Sequence, residues 1–263
     1  ITAEGQIEAS PQESAQLTAL FPLLVGAAWP DDVEQRIPIG LSGLITQRRQ
    51  RQQVMQLLTL LAFLEPQLET QKVVVLQRLA EELSIEAEVV QDLEEVCRGH
   101  VLKAFGDLYR RTFHDLNNDG VVKGYSRFIL PMLGIGIDHV HQSSYEALQN
   151  ASPGSLGEAL HHYYEHNGFP YPGSRRGLPY DYVATHDMHH VIGGYATDPD
   201  GELQVLAFSM GLFPDHALLI AIPPLMQFQM GIADPLAGSV APTLTDQLRA
   251  PAFATALERG SAV

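Results

Sequence analysis

Residues Thr185–Glu202 read THDMHHVIGGYATDPDGE. His186 and His190 stand four apart, Asp187 lies beside the first, and Glu202 follows His190 by twelve. On an α-helix each residue turns by about 100°, so positions i and i+4 fall about 40° apart and i+1 about 100° away. His186, Asp187 and His190 therefore share one arc of a helix. Gly193-Gly194 follows, then a turn-forming run, Asp198-Pro199-Asp200-Gly201. A second helix beginning at Glu202 would reverse the chain and return that carboxylate to the level of His190. Two imidazoles and two carboxylates then converge, a nitrogen-and-oxygen set that suits a divalent transition metal. Without a metal, the same residues would be a polar helix end on a solvated face.

A zinc-hydrolase reading fits less well. Such enzymes place a general-base Glu beside the first His of His-Glu-x-x-His. Asp187 holds that place here, one methylene shorter, and suits ligation better than proton transfer.

The pattern His-Asp-x-x-His, eleven residues, then Glu resembles the signature of the coenzyme Q biosynthesis protein 4 family. Upstream, Ser152-Pro153-Gly154-Ser155-Leu156-Gly157-Glu158-Ala159-Leu160 is similar to that family's Pro-x-Gly-Thr-Leu-Gly-x-x-Tyr, with Ser155 for Thr and Leu160 for Tyr. The resemblance covers about residues 125–230. It implies a metal site of His186, Asp187, His190 and Glu202, with zinc ahead of other transition metals. It also implies a prenylated hydroxybenzoate-type quinone precursor as substrate and oxidative decarboxylation of its ring. The family further organises other enzymes of its pathway. The alternative is a scaffold or prenyl-lipid-binding protein with a structural metal.

The composition bounds the rest. The 263 residues are 45% apolar, enough for a large core, and carry 31 acidic against 16 basic side chains, a net charge of −15. So acidic a chain argues against nucleic acid, which needs basic patches, and against electrostatic docking to anionic lipid. A single cysteine, Cys97, excludes an internal disulfide and suits a reducing, cytoplasm-like compartment. Its side chain reads as a small buried apolar group. The chain opens on Ile1, so a processed or trimmed start is expected, and no positive-plus-apolar signal segment is read there.

Helical periodicity dominates, with no sustained alternation and no Asn-Gly hairpin, so the fold class expected is all-α. Residues 1–13 are polar and read as frayed, and a helical segment from Ser14 ends at Trp29-Pro30. VMQLLTLLAFL, after the basic island QRRQRQQ, reads as a buried helix. Two amphipathic helices follow over 70–98, with Ser84 placed to cap the second. Residues 1–100 form an N-terminal helical block, of which 50–100 resembles TerB-like helical domains. Residues 101–263 form the metal-binding helical domain.

Further motifs carry weaker chemistry. Asp115, Asn117, Asp119 and Gly120 match the first half of a calcium loop, but Lys123 and Ser126 occupy its ninth and twelfth positions, so an Asn/Asp-Gly turn is the better reading. Asp138, His139 and His141 read as satisfied helix-end groups. Ser155-x-x-Glu158 is a capping box, and its helix carries His162 and His166, a rival i, i+4 pair without a timed carboxylate. In the loop 167–180, Arg175 and Arg176 would hold a substrate carboxylate bidentately beside the metal, or serve solubility. Residues 128–137 read as a buried but broken element. Residues 217–231 are apolar around Pro223-Pro224, too interrupted for a membrane span. They read as lining a greasy pocket, packing on a partner, or touching a membrane peripherally; both apolar stretches would hold a lipid tail. Partners expected are the prenylated aromatic or an isoprenoid lipid, other biosynthetic enzymes, and a second copy in a homodimer.

Overall fold

The structure, a computed structural model, describes residues 11–26, 28, 40–63, 66–117, 120–236 and 241–263. Residues 1–10, Trp29-Pro30 and Asp119 of the calcium-like loop, each read above, lie outside them. Thirteen α-helices supply the regular structure among the described residues, and the β pairing there is one isolated bridge between Met230 and Thr245. The fold is all-α. In chain order the helices are α1 (Pro11–Val25), α2 (Leu41–Leu44), α3 (Arg48–Leu61), α4 (Thr70–Leu83), α5 (Glu88–Cys97), α6 (Val101–Asn117) and α7 (Val121–Met132). After these come α8 (His139–Glu146), α9 (Leu156–Asn167), α10 (Tyr180–Gly193), α11 (Pro199–Leu212), α12 (Ala217–Phe228) and α13 (Ala250–Ser261).

α11 is the central helix. Leu203, Val205, Leu206, Ala207, Phe208 and Met210 are all buried, and a helix apolar on every side belongs in a core. α13 crosses it at backbone distance. A Cβ on Gly260 would meet the Phe208 carbonyl oxygen at 2.0 Å, and one on Gly211 the Leu257 oxygen at 2.5 Å. α12 packs on α11, α6 and α3, and α1 packs on α13. Gln227 and Gln229, charge-free but polar, are buried because they tie down the return loop. Gln227 Nε2 donates to the Ala241 and Pro242 carbonyls at 3.0 and 3.1 Å, and Gln229 Oε1 accepts from the Leu248 N–H at 2.9 Å.

One apolar cluster runs from Leu20 through Phe63, Leu93 and Phe113 to Phe253, so residues on both sides of position 100 share a core. A second, small cluster is separate: Tyr145, Leu160 and Tyr164, with Tyr163, Met188 and Val191 against them. It joins α8, α9 and α10. No single helix among the described residues is long and apolar enough to cross a membrane; α11 and Pro214–Phe228 pass on composition together but meet at 118°.

Several local expectations change. Ser84 does not cap α5. It ends α4 in the left-handed region (φ 52°), where the Ile85 N–H returns to the Ala80 carbonyl at 2.9 Å, a six-to-one C-cap. Residues 128–137 are not buried as a unit: Pro131 is, but Ile129, Leu130, Leu133 and Ile135 are 48%, 36%, 64% and 54% exposed, since no described helix covers that face. Within residues 217–231, Ala221, Ile222, Leu225 and Met226 are fully buried in the main core. Asp138 caps α8 as a satisfied helix-end group, accepting from the N–H groups of Val140 and His141.

Candidate metal centre

The turn between α10 and α11 sets the geometry. Gly194 takes the left-handed conformation that ends α10 (φ 69°), and the Tyr195 N–H returns to the His190 carbonyl at 3.0 Å. Asp198 then caps α11 by accepting the Gly201 N–H at 2.8 Å, with Pro199 at the first helical position. Gly201 is required by contact, since a Cβ there would lie 2.0 Å from the Ala196 carbonyl oxygen. The second helix thus starts at Pro199, three residues before the expected Glu202. Asp198-Pro199-Asp200-Gly201 is the cap and first turn, and Glu202 still faces α10.

His186, His190 and Glu202 are brought together, with one ligating atom from each lying within 4.8 Å of the others. His186 Nε2 is 3.1 Å from Glu202 Oε2, and His190 Nε2 is 3.3 Å from Glu202 Oε1. The far nitrogen of each ring is anchored. His190 Nδ1 is 3.2 Å from the Tyr195 carbonyl, which only accepts, so Nδ1 carries a hydrogen and Nε2 is the nitrogen turned toward Glu202. His186 Nδ1 donates to Asp187 Oδ1 at 3.1 Å. Imidazoles held by carboxylate and carbonyl partners at one nitrogen, with the other turned to a common point, match the way proteins orient metal-binding histidines.

Asp187 stands outside this trio. One oxygen accepts from His186 and the other from the Tyr164 hydroxyl, so it supports the His186 ring. Three protein groups then face the centre, the number typical of sites that keep a position open. His186 retains 42% exposure and Glu202 22%, whereas His190 is fully buried.

The fit to a cation rests on His190 Nε2. It is buried, makes no well-formed hydrogen bond, and lies 3.3 Å from a Glu202 carboxylate oxygen. A buried ring nitrogen so placed against a carboxylate is satisfied by a cation or a proton between them. Short of a metal, His186 supplies part of that charge. Burial alone would lower its pKa, but the bonds to Asp187 and Glu202 carry it up to about 10. Burial would raise Glu202, yet the two histidines bring it down to about 2.

Around the trio lies an aromatic wall. Tyr163 stacks on the His190 ring, centroids 5.5 Å apart. Burial first, and Asp187 second, push the Tyr163 and Tyr164 phenols well above their usual range, so both stay protonated. Tyr145 and Tyr171 pack edge-on and tilted against Tyr164 at 5.3 Å. Beside them on α10, His189 is bonded to Ser209 Oγ at 2.7 Å. Burial, then the neighbouring histidines, lowers it to about 4, so it is a neutral tie between α10 and α11.

The sequence reading did not assign Tyr163, Tyr164 or the Tyr195 carbonyl to the site. The rival pair His162 and His166 enters no three-residue ligand group among the described residues. Arg175 and Arg176, expected beside the metal, sit exposed over the end of α7. A Cβ on Gly134 would meet Arg175 Nε at 3.2 Å, and the Arg176 N–H donates to the Pro131 carbonyl at 3.1 Å. Comparison with family models, with curated proteins and with solved structures gives no match in any of the three.

Proposed function

We propose that this protein is a metal-dependent enzyme acting on a prenylated hydroxybenzoate-type quinone precursor, from which the ring carboxyl carbon is removed oxidatively. The observation that supports the metal is the convergence of His186, His190 and Glu202, with the buried Nε2 of His190 3.3 Å from a Glu202 oxygen and without a well-formed hydrogen bond. His186, His190 and Glu202 would hold a divalent ion. Zinc is the first candidate and another transition metal the second, since the set is nitrogen and oxygen without thiolate. When bound, such an ion supplies Lewis acidity toward a phenolate or carboxylate oxygen.

The chain's own residues do the rest. Asp187 and the Tyr195 carbonyl keep both rings aimed. Tyr163 covers His190 from one side and limits water there. The half-exposed His186 edge leaves a route for a ligand. Three protein ligands rather than four favour catalysis over a closed structural site. The substrate class is supported by the two motif resemblances over about residues 125–230. Such a ring, bearing an isoprenoid tail, would be met at a membrane surface, consistent with a peripheral location.

The experiment is elemental analysis and turnover. Wild type should bind one equivalent of metal and convert a prenylated hydroxybenzoate in the presence of an oxidant. His190→Ala should lose both while keeping its helical content. A folded, metal-free His190→Ala protein with full turnover would remove the metal from the chemistry. Full metal binding in wild type with no turnover would favour the scaffold.

A further inference from the structure

Tyr163 carries a hydroxyl at the trio that its packing does not require. The ring lies over the His190 ring, centroids 5.5 Å apart and planes at 29°, and meets Tyr164 and Phe169 edge-on at 5.5 and 5.8 Å. Phenylalanine would make all three contacts. The hydroxyl lies within hydrogen-bonding reach of the Asp187 carboxylate and close enough to Glu202 to feel its charge. Asp187 does not depend on it, because His186 Nδ1 and the Tyr164 hydroxyl already occupy one oxygen each. Tyr163 is therefore a donor that can turn to a ligand without breaking the support of the His186 ring.

The side chain is fixed in place. Tyr164 bonds α9 to Asp187 on α10, and Thr197 Oγ1, in the turn before α11, donates to Asn167 Oδ1 at 3.0 Å. Gly168, left-handed at φ 65°, ends α9, and the Phe169 N–H returns to the Tyr164 carbonyl at 3.1 Å. That return holds Phe169, 42% exposed, against the Tyr163 ring. Tyr163 is itself only partly buried.

Charge decides what such a donor is for. The Asp187 and Glu202 carboxylates bring two negative charges to the centre and a divalent ion two positive ones, so with neutral imidazoles the loaded centre carries no net charge. A carboxylate ligand then gains little from long-range attraction and has to be held by directed bonds. Arg175 and Arg176, expected to supply them, sit over the end of α7 instead. A phenol supplies a directed donor without adding charge.

We propose that the Tyr163 hydroxyl donates to the carboxylate of the aromatic ligand held at the trio and so sets the orientation of its ring. The role rests on the hydroxybenzoate-type substrate and the divalent ion proposed above, and adds the group that recognises the carboxylate. A bond from a hydroxyl to a carboxylate is charge-assisted and stronger than a neutral pair. When the ligand leaves, the hydroxyl returns to Asp187, so neither state strands a buried donor.

The test is calorimetric titration of the zinc-loaded full chain with two soluble probes, para-hydroxybenzoate and para-hydroxybenzyl alcohol, which differ in the carboxylate. Wild type should bind the acid at least about tenfold more tightly than the alcohol. Tyr163→Phe should lose that preference, while zinc content, affinity for the alcohol and unfolding temperature stay at wild-type values. Arg175→Gln/Arg176→Gln should keep it. A Tyr163→Phe protein that still prefers the acid overturns the proposal. So does an equal loss for both probes, which would make the side chain a packing element. Zinc content, measured first, separates the two levels. Zinc-loaded wild type that binds both probes alike overturns the role of Tyr163 and leaves the ion standing, whereas wild type that takes up no zinc overturns the ion and this role with it.

Discussion

Asp187→Asn separates a ligand from a residue that aims one. The Asp187 carboxylate accepts from His186 Nδ1 at 3.1 Å and from the Tyr164 hydroxyl, and its side chain is 12% exposed. Asparagine keeps the size and one acceptor oxygen, so the His186 ring should stay aimed while the negative charge behind it is lost. Partners in this outer position contribute about 10- to 100-fold to metal affinity, which is ~1.4–2.7 kcal/mol. Zinc titration against a competing chelator should therefore show a Kd weaker by that factor, with the stoichiometry still one. The unfolding temperature of the metal-free variant checks that the fold is intact. Loss of stoichiometric binding would mean that Asp187 ligates directly. An unchanged Kd would mean that its bond to His186 does not support the metal.

Two further outcomes follow from the same geometry. In metal-free protein, Glu202 is lowered from 4.5 to about 2, so its contribution to stability is present above pH 4.5 and lost as pH falls toward 2. His186 is raised from 6.5 to about 10, so its contribution is complete below pH 6.5 and lost as pH rises toward 10. The urea midpoint of chelator-treated wild type should exceed that of Glu202→Gln most between about pH 4.5 and 6.5; a pH-independent difference would show that the two groups do not pair. Gly260→Ala should destabilise the fold by about 1–3 kcal/mol, since the added methyl would lie 2.0 Å from a carbonyl oxygen of α11. At ~2–4 °C per kcal/mol for a chain of this size, calorimetry should show a clear fall in Tm, and an unshifted Tm would mean that α11 and α13 do not touch.

The trio was legible because helix geometry alone sets it. Four residues bring His186 and His190 to one side, and the turn from Gly194 to Gly201 can return Glu202 only to that side. Asp187 shares their arc, yet its role was not legible. It depends on Tyr164, 23 residues away on another helix, and spacing says nothing about such a partner. Residues 128–137 looked buried because their composition is apolar, but burial requires another element to cover the face, and composition does not record one. Ser84 shows a similar limit. A serine before a helix suggests an N-cap, but here the preceding helix needed a residue able to adopt a positive φ, and that demand prevailed. The all-α class survived these local errors because it rests on periodicity repeated over many turns.

The trio also spans a seam. His186 and His190 ride on α10, whose Met188 and Val191 rest on the small tyrosine cluster, whereas Glu202 belongs to α11 in the main core. With three buried side chains at its centre among the described residues, the smaller cluster should open more readily than the main core, and its amide hydrogens should exchange faster than those of α11. An ion held by the trio would bridge the two units, so its addition should slow amide exchange along α10 more than along α11.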